Sequence, residues 1–204
     1  IIDNYPETAV EDCLAPNHPQ KPEWGTRSLP LSRILYIDRS DFMEIPPKGY
    51  FRLSPGKEVR LRYAYIIKCV DVVKDANGKV IEIHCTYDPD SKSGTAGADR
   101  RKVKGNIHWL SARHAQQAEI RLYDRLFAHP HPDAGGQDYK TVLNPHSKNV
   151  IVAHVEPSLI QALPEERFQF ERHGYFVADR MDMKSGKAVF NRSVTLRDSW
   201  GKGG

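Results

Sequence analysis

The sequence predicts an all-β fold, built as two small antiparallel β-barrels with a few short helices. Three observations lead to this prediction: many short runs of alternating apolar and polar residues, turn residues placed closely between those runs, and no long helical period. Two strand-rich halves meet near residues 111–118, which favours two barrels over one sandwich. We therefore expect a first domain over residues 1–114 and a second over 115–204, with N-terminal strands able to contribute to the second barrel.

The composition is that of an ordinary globular protein with a mildly basic charge. Hydrophobic residues make up 39% of the 204 residues and charged residues 27%, so the chain can bury a sizeable core. The net charge of +4 permits a nucleic-acid partner without requiring one. No apolar run approaches the ~18 residues of a membrane-spanning helix, and we expect no membrane partner. The start at Ile1, without methionine or a basic leader, suggests a piece of a longer protein.

The cysteines predict neither a disulfide framework nor a zinc site. Cys13, Cys69 and Cys85 are widely spaced and form no CxxC motif. Cys69 and Cys85 have inward parity on predicted strands, where a free thiol behaves as a small apolar side chain. We expect a reduced, cytoplasmic protein.

The first half of the chain reads as strands and turns. A proline-rich composition excludes helix from residues 13–31 and favours an extended surface segment there. Residues 33–38 read as a strand and 40–43 as a single helical turn. Further on, Asn-Gly at 77–78 is a strong hairpin signal, and it predicts a return strand over 79–87 whose inward residues are Ile81, Ile83, Cys85 and Tyr87.

Strict alternation predicts one long strand that runs through residues 59–68 and on to Val73. Its inward face would hold Val59, Leu61, Tyr63, Tyr65 and Ile67. Arg60 and Arg62 would stand on the outward face, roughly 7 Å apart at the ~3.3 Å rise of a strand. Such guanidiniums suit a base edge or a phosphate, although charged residues are also ordinary on the solvent face of a strand.

The second half alternates strands with short helices. Residues 118–127 fit helix or strand, because the hydrophobic period does not decide between them. Strands are predicted over 150–155, 167–172 and 189–197, and short helices over 139–143 and 156–163.

No catalytic motif is present. The nine histidines are scattered, and His129 and His131 lie in a proline-rich loop without the third or fourth ligand that a metal site needs. Residues 183–187 faintly resemble a nucleotide-handling lysine loop, but a hairpin turn explains them more simply. We expect no catalytic residue, no metal and no cofactor in this chain.

Binding chemistry is better represented, in three polar groups. They are Arg52 with Arg60 and Arg62; Arg100, Arg101, Lys102 and Lys104; and Gln169 with Arg172. Aromatic residues among the first group could stack unpaired bases, although Tyr63 and Tyr65 are better explained as core. Gln169 and Arg172 have opposite strand parity, so they can face one pocket only if the strand ends or bulges between them, as Gly174 would allow.

Several short motifs follow one another along the whole chain. Besides Arg52, they are PNHP at 16–19, GKEVRLR at 56–62, CTYD at 85–88, RKVKG at 101–105, IHW at 107–109, EIRLYDRLF at 119–127, FQFER at 168–172 and FNR at 190–192. In this order they resemble the C-terminal half of the bacterial glutaminyl-tRNA synthetases. Each motif alone is weak, but a chance match of all of them in the same order is very improbable.

The resemblance implies a fold and a function. Members of this family are class I aminoacyl-tRNA synthetases that join glutamine to its tRNA, and this portion would be their anticodon-binding region, two barrels related to a ribosomal-protein barrel. The expected partners are the anticodon stem-loop of tRNA-Gln and the catalytic domain, which would precede Ile1 and hold ATP and magnesium. We expect a monomer.

The resemblance also implies roles for single residues. Arg52 resembles the reader of the third anticodon base, a guanine; Arg60 and Arg62 resemble the pair around the first base and its phosphates; Gln169 and Arg172 resemble the pocket for the central uridine. Phe51 stands where a lysine is expected and Tyr63 where an asparagine is expected, so both positions are of interest. Gln20, Lys102 and Lys104 complete the candidate RNA contacts.

Two alternatives stay open. One is the equivalent region of an archaeal or eukaryotic-type glutamyl-tRNA synthetase. The other is a stand-alone RNA-binding or ribosome-associated barrel protein. Nucleotide-binding signatures upstream of Ile1 would separate a synthetase from a stand-alone module.

Overall fold

A computed structural model describes residues 1–98, 101–136, 138–184 and 186–196. In chain order the strands are β1 (Glu11–Pro16), β2 (Thr26–Leu31), β3 (Leu35–Ile37), β4 (Glu58–Leu61), β5 (Ile66–Lys74), β6 (Val80–Asp88), β7 (Asn106–Ile107), β8 (Trp109–Ser111), β9 (Gln116–Tyr123), β10 (Lys148–Val155), β11 (Arg167–Phe170), β12 (Gly174–Ala178) and β13 (Ala188–Val194). The predicted all-β class is confirmed.

Helical structure in the described residues is limited to short 3₁₀ segments. They include Pro22–Trp24, Arg39–Asp41, Pro89–Ser91, Tyr139–Val142 and Pro157–Gln161. Three of them match the short helices expected near residues 40, 140 and 158. Within this part of the chain, none has the length and apolar character that crossing a bilayer would take.

The chain divides into two units, residues 1–115 and 116–204. In the first unit, a four-stranded sheet has the order β6-β5-β4-β7, while β3 pairs with β8 and β1 pairs with β2. Both β1 and β2 belong to this unit, where Cys13, Ala15 and Leu31 are fully buried in its core. Trp109, on β8, is buried in the same core and donates its indole N–H to the carbonyl of Arg62 at 2.9 Å.

The second unit is one five-stranded sheet with the order β10-β9-β13-β12-β11. Its core is aromatic: the rings of Phe170 and Phe176 stack at 4.3 Å, and Phe190 meets Phe170 edge-on at 5.4 Å. In both units one pair is parallel, β4 with β7 and β9 with β13, so the sheets are mixed rather than purely antiparallel. Closure into barrels stays a prediction.

The predicted long strand is wrong, because it breaks into β4 and β5. Residues 62–65 form a tight turn in which Tyr63 has a φ of 66°, and Ala64 N–H donates to the Leu61 carbonyl at 2.8 Å. β5 then runs back antiparallel to β4, with Val59 opposite Ile67. Arg62 therefore lies in a turn, and it does not share a strand face with Arg60.

Other boundaries also differ from the sequence prediction. Residues 13–31 were expected to form an extended surface segment without helix, but they contain most of the β1–β2 hairpin, whose inward residues join the core, and the 3₁₀ segment Pro22–Trp24. Ile81 was expected inward and is 57% exposed, because it is the extra residue of a bulge opposite Val73 and Lys74, which turns Val80 inward instead. β11 ends at Phe170, two residues early, and β13 ends at Val194; Arg197 lies outside the described residues.

The three cysteines are free and buried, which agrees with the inward parity predicted for Cys69 and Cys85. Cys69 and Cys85 are direct partners across β5 and β6. Burial is the main cause that raises the pKa of the Cys85 thiol, to about 12, and it raises the pKa of Cys69 as well. Both thiols therefore act as core side chains.

Candidate nucleic-acid interface

Arg52 lies in the connection between the turn Arg39–Asp41 and β4, and its guanidinium is held on two sides. Its Nε lies 3.3 Å from Oδ1 of Asp41, whose side chain is fully buried. Its Nη1 donates to the carbonyl of Ser40 at 2.9 Å and to the hydroxyl of Ser40 at 3.3 Å. An anchored guanidinium loses less conformational entropy when it binds a ligand, so this geometry is preorganised.

The two segments that carry Asp41 and Arg52 are fixed to each other. Leu53 N–H donates to the Asp41 carbonyl at 3.0 Å, and Met43 N–H donates to the Leu53 carbonyl at 3.1 Å. Leu53 is buried in the core of the first unit. Within the described residues, Nη2 of Arg52 makes no hydrogen bond, and the side chain is 37% exposed. Two N–H donors are thus left for a planar acceptor.

Arg60 is occupied differently from what the sequence predicts. Its guanidinium is half-buried and donates to the carbonyls of Ala64, Ser91 and Ala98 at 3.3, 2.6 and 3.3 Å, and to the hydroxyl of Ser93 at 3.2 Å. Arg60 therefore fixes the segment 91–98 onto the turn after β4. Arg60 lies on the outward face of β4 as expected, but its donors are taken up by main-chain carbonyls and the Ser93 hydroxyl.

The same segment is anchored from its other side by Lys92. Lys92 pairs with the carboxylate of Glu11, which also accepts a 2.7 Å hydrogen bond from the hydroxyl of Tyr65. Burial acts to raise the pKa of Glu11, but the hydrogen bonds from Lys92 and Tyr65 outweigh it and lower that pKa. Tyr65 is buried, so its assignment to the core is confirmed.

Arg62 and Tyr63 form a pair on the turn. The guanidinium carbon of Arg62 lies 5.5 Å from the Tyr63 ring centroid, and its Nε donates to the Tyr63 hydroxyl at 3.3 Å. Tyr63 itself packs partly against the core of the first unit. The aromatic residue that replaces the expected asparagine thus supports the arginine beside it.

Phe51 and Lys104 form a second cation–aromatic pair. Phe51 is 55% exposed, and Nζ of Lys104 lies 5.1 Å from its ring centroid. The two meet because Gly105 approaches the Phe51 carbonyl so closely that a Cβ at 105 would lie 2.4 Å from the oxygen. The lysine charge that the family resemblance leads one to expect at position 51 is therefore supplied over the Phe51 ring by Lys104.

The rest of the second basic group is only partly available. Arg101 pairs with Glu58 and, at 2.8 Å, with Asp88, and the hydrogen bond that it donates to Asp88, with the charge of Glu58, raises its pKa. Lys102 is exposed, and Arg100 lies outside the described residues. Gln20 is exposed in the β1–β2 loop, with its main-chain N–H bonded to Nδ1 of His18 at 3.1 Å.

In the second unit, Gln169 lies on β11, which is an edge strand. The strand ends at Phe170, and Arg172 follows in a turn with a φ of 64°. Because the strand ends between them, Gln169 and Arg172 are no longer bound to opposite faces of one strand. That both face one pocket stays a prediction. Gln169 is directly opposite Tyr175 on β12, so the two side chains share a face; Tyr175 is 47% exposed.

An ion-pair network in this unit joins β9 to the segment after β12. Arg121 pairs with Glu119 at 2.7 Å, with Asp179 at 3.0 Å and with Asp182. A hydrogen bond from Asn191 is the largest cause that lowers the pKa of Asp179 to about 2, against an opposing effect of burial. The network positions the turn 179–182 rather than a ligand.

The described residues contain no group of three or more His, Cys, Asp or Glu side chains that could hold a metal ion. Lys184 and Lys187 exchange main-chain hydrogen bonds of 3.1 and 2.9 Å, which agrees with the hairpin turn expected there; Ser185 lies outside the described residues. Trp200 to Gly204 lie outside them too.

Sequence reasoning missed three contributors to these sites. Asp41 and Ser40 hold Arg52, and Tyr175 faces Gln169. For Tyr175 the signal was available: a turn that pairs Gly174 with Phe170 also pairs Tyr175 with Gln169. For Asp41 the signal was weaker, since a helical turn starting after Asp38 does not reveal which of its side chains is buried.

Two family models match this chain with the same description, "tRNA synthetases class I (E and Q), anti-codon binding domain", over residues 1–88 and 106–179. A glutamine–tRNA ligase of Nitrosomonas europaea is 68% identical over 202 residues, which is 99% of this chain and 36% of the ligase. Those of Cupriavidus metallidurans and Polynucleobacter asymbioticus are 64% and 50% identical, over 99% and 98% of the chain. The chain thus spans about a third of the length of these relatives.

Proposed function

Because this chain belongs to the anticodon-binding domains of the class I tRNA synthetases for glutamate and glutamine, we propose that it recognises the anticodon of tRNA-Gln within a glutamine–tRNA ligase. The identity of its relatives supports glutamine over glutamate, since the ligases compared above are all named for glutamine. Bases that are splayed out of a loop expose edges that a duplex hides, so each can enter its own pocket.

The observation that carries this proposal is the anchored guanidinium of Arg52. Asp41 and Ser40 fix its orientation and leave Nη2 available. Nη2 can donate to O6 or N7 of guanine; the bidentate pair to both atoms, which discriminates by about 1–3 kcal/mol, forms when Nη1 also exchanges a bond to Ser40 for the base. Arg52 therefore reads the third anticodon base as guanine.

The remaining candidate residues contact the first and the middle anticodon bases. Arg62, with Phe51 and Lys104 in the same unit, contacts the first base and its phosphates; Arg60 acts indirectly by holding the segment 91–98. In the second unit, Gln169 pairs with the edge of the central uridine, Arg172 contributes a guanidinium, and the exposed ring of Tyr175 stacks beside Gln169. Gln20 and Lys102 contact the RNA backbone.

The remaining properties belong to the whole protein. The portion of the relatives that this chain does not match would carry the catalytic domain, which binds ATP and magnesium and attaches glutamine. We place the protein in the cytoplasm as a monomer. A stand-alone RNA-binding protein is the less favoured alternative, because a segment 68% identical to this chain makes up 36% of a named ligase.

The proposal is tested by aminoacylation of tRNA-Gln anticodon variants with the full-length protein. Arg52→Ala, and Arg52→Lys, which keeps a cation beside Asp41, should each reduce the preference for guanine at the third position by about 10- to 100-fold. Gln169→Ala should reduce the preference for uridine at the middle position instead. Each substitution is the control for the other.

A loss of activity that is equal across all anticodon variants would contradict the assignment of both residues. Charging of a glutamate tRNA in preference to a glutamine tRNA by the unsubstituted protein would favour the glutamyl alternative. Absence of any tRNA binding by the unsubstituted protein would overturn the function itself.

A further inference from the structure

The loop between β1 and β2, residues 17–25, presents an exposed indole. Within this loop, the side chain of Trp24 is 55% exposed. Single exposed apolar side chains are ordinary on protein surfaces. Trp24 differs from these because its loop has a fixed main chain and because a cation already covers one side of its ring.

The main chain of the loop is fixed by hydrogen bonds at both ends. Asn17 N–H donates to the Gly25 carbonyl at 3.0 Å, and the Asn17 side-chain amide donates to the Trp24 carbonyl at 2.9 Å. Trp24 N–H donates to the Lys21 carbonyl at 3.0 Å within the 3₁₀ segment Pro22–Trp24, and Gly25 closes the turn with a φ of 73°. A loop that is ordered in this way holds the indole in place before any ligand arrives.

The surroundings of the ring leave more than half of the Trp24 side chain exposed. Nζ of Lys21 lies 4.5 Å from the Trp24 ring centroid, and the His18 ring centroid lies 5.0 Å away with the two ring planes at 65°. These two contacts hold the indole in place while its exposed area stays accessible to a ligand. A cation on one face of an aromatic ring is compatible with a flat ligand on the opposite face.

We propose that Trp24 is a stacking platform for one unpaired base of the bound RNA. Unpaired bases stack on aromatic side chains whatever their sequence, since every base has a π-face. Lys21 and Glu23 are both exposed and have opposite charges, so the loop offers little net charge to phosphates when His18 is neutral. Its contribution is therefore stacking rather than electrostatic attraction. The inference rests on the proposed function, because it needs an RNA partner.

The test measures the binding of tRNA-Gln to the full-length protein by fluorescence anisotropy, at low and at moderate salt. Trp24→Ala should weaken binding about tenfold, within the range for loss of one stacked base. Trp24→Phe should keep most of the affinity, while Trp24→Leu, which is apolar but cannot stack, should bind as weakly as Trp24→Ala. Leu14→Ala, an exposed apolar position on the same hairpin, is the matched control and should leave affinity unchanged.

The salt dependence distinguishes stacking from charge. Trp24→Ala should lower the affinity by the same factor at both salt concentrations, because no phosphate contact is removed. Third-base selectivity should be unchanged as well. In protein labelled with 5-fluorotryptophan, the ¹⁹F resonance that disappears in Trp24→Phe should shift when tRNA is added.

Three outcomes would overturn the inference: affinity of Trp24→Ala within twofold of the unsubstituted protein, Trp24→Leu binding as well as Trp24→Phe, or a ¹⁹F resonance that tRNA does not move. Each leaves the proposed function intact provided the unsubstituted protein binds the tRNA. If the unsubstituted protein does not bind, the proposed function fails first.

Discussion

The two units position their candidate RNA contacts by different means. In the first unit, Arg52 and Arg62 lie in turns and connections, and each is fixed by a neighbouring side chain. In the second, Gln169 lies on a strand whose main chain is paired along its length with β12. A strand aligns its side chains through the ladder, whereas a loop needs a dedicated anchor for each one. Substitutions behind the site should therefore act locally in the first unit and across the sheet in the second.

The anchors also differ in chemistry. In the first unit, Arg60 holds the segment 91–98 through hydrogen bonds to the neutral carbonyls of Ser91 and Ala98, beside the ion pair of Lys92 with Glu11. The second unit joins β9 to the turn 179–182 through carboxylates gathered around Arg121. When one partner of an ion pair is removed, the other is left as an uncompensated charge. Removing that partner therefore costs more stability than losing a hydrogen bond to a neutral carbonyl, which water can satisfy.

The largest effect is expected from Arg121→Met. It leaves Asp179, Asp182 and Glu119 without their shared cation, and we expect the second unit to lose about 3 kcal/mol of stability. Hydrogen exchange should speed up in β9, β12 and β13 while the strands of the first unit keep their protection. Arg180→Met, whose side chain is 76% exposed and lies 3.8 Å from Glu165, is the control and should cost less than about 0.5 kcal/mol.

If the first unit lost protection to the same extent as the second, the two units would unfold together, and Arg121 would not act on the sheet of the second unit alone.

A smaller effect is expected from Arg60→Met. Loss of hydrogen bonds from a charged donor should cost about 2 kcal/mol. Because the anchor is local, faster exchange should be confined to residues 91–98 and the turn at 62–65, and tRNA affinity should fall by a similar factor for every anticodon variant. Lys68→Met, an exposed position on β5, should change neither quantity.

Should Arg60→Met instead alter selectivity at the first anticodon base alone, Arg60 would read that base directly. Its observed hydrogen bonds would then have to rearrange when RNA binds.

The smallest effect is expected from acid. The pKa of Asp179 is about 2 in the folded protein, below its ordinary value of 3.8, so its ionised form is stabilised by folding. That contribution is complete above pH ~5 and is lost as the pH falls from about 4 towards 2. The stability difference between the unsubstituted protein and Asp179→Asn, measured by hydrogen exchange in β12 and β13, should therefore shrink towards zero over that interval. A constant difference would mean that Asp179 acts through its shape alone.

Much of the fold is predictable from the sequence, because hairpin turns and alternation act over a few residues. The turn at 75–78 and the strand pair on either side of it follow from Asn77-Gly78. Tyr63 shows where local reasoning fails: a bulky residue with positive φ is rare, so unbroken alternation through residues 59–67 favoured one long strand. Ile81 shows the same limit, since a bulge depends on the partner strand as much as on its own sequence.

For the candidate site, the sequence names residues but does not give their geometry. The family resemblance marks Arg52, Arg62, Gln169 and Arg172 by position, and that requires no coordinates. Which donors remain for RNA depends on contacts between distant segments, such as Arg60 with the main chain of residues 91–98. Long-range contacts of this kind leave no periodic signal in the sequence.

The order of strands in the second unit has a consequence for how the chain is made. The last strand, β13, lies at the centre of the sheet, between β9 and β12. Until it is synthesised, β9 with β10 and β11 with β12 are two separate hairpins, and isolated hairpins are marginally stable in water. The first unit can complete its core once Trp109 and its neighbours have emerged, but the second must wait for residues 188–194. On the ribosome, the proposed contact surface around Gln169 would therefore form after the core of the first unit.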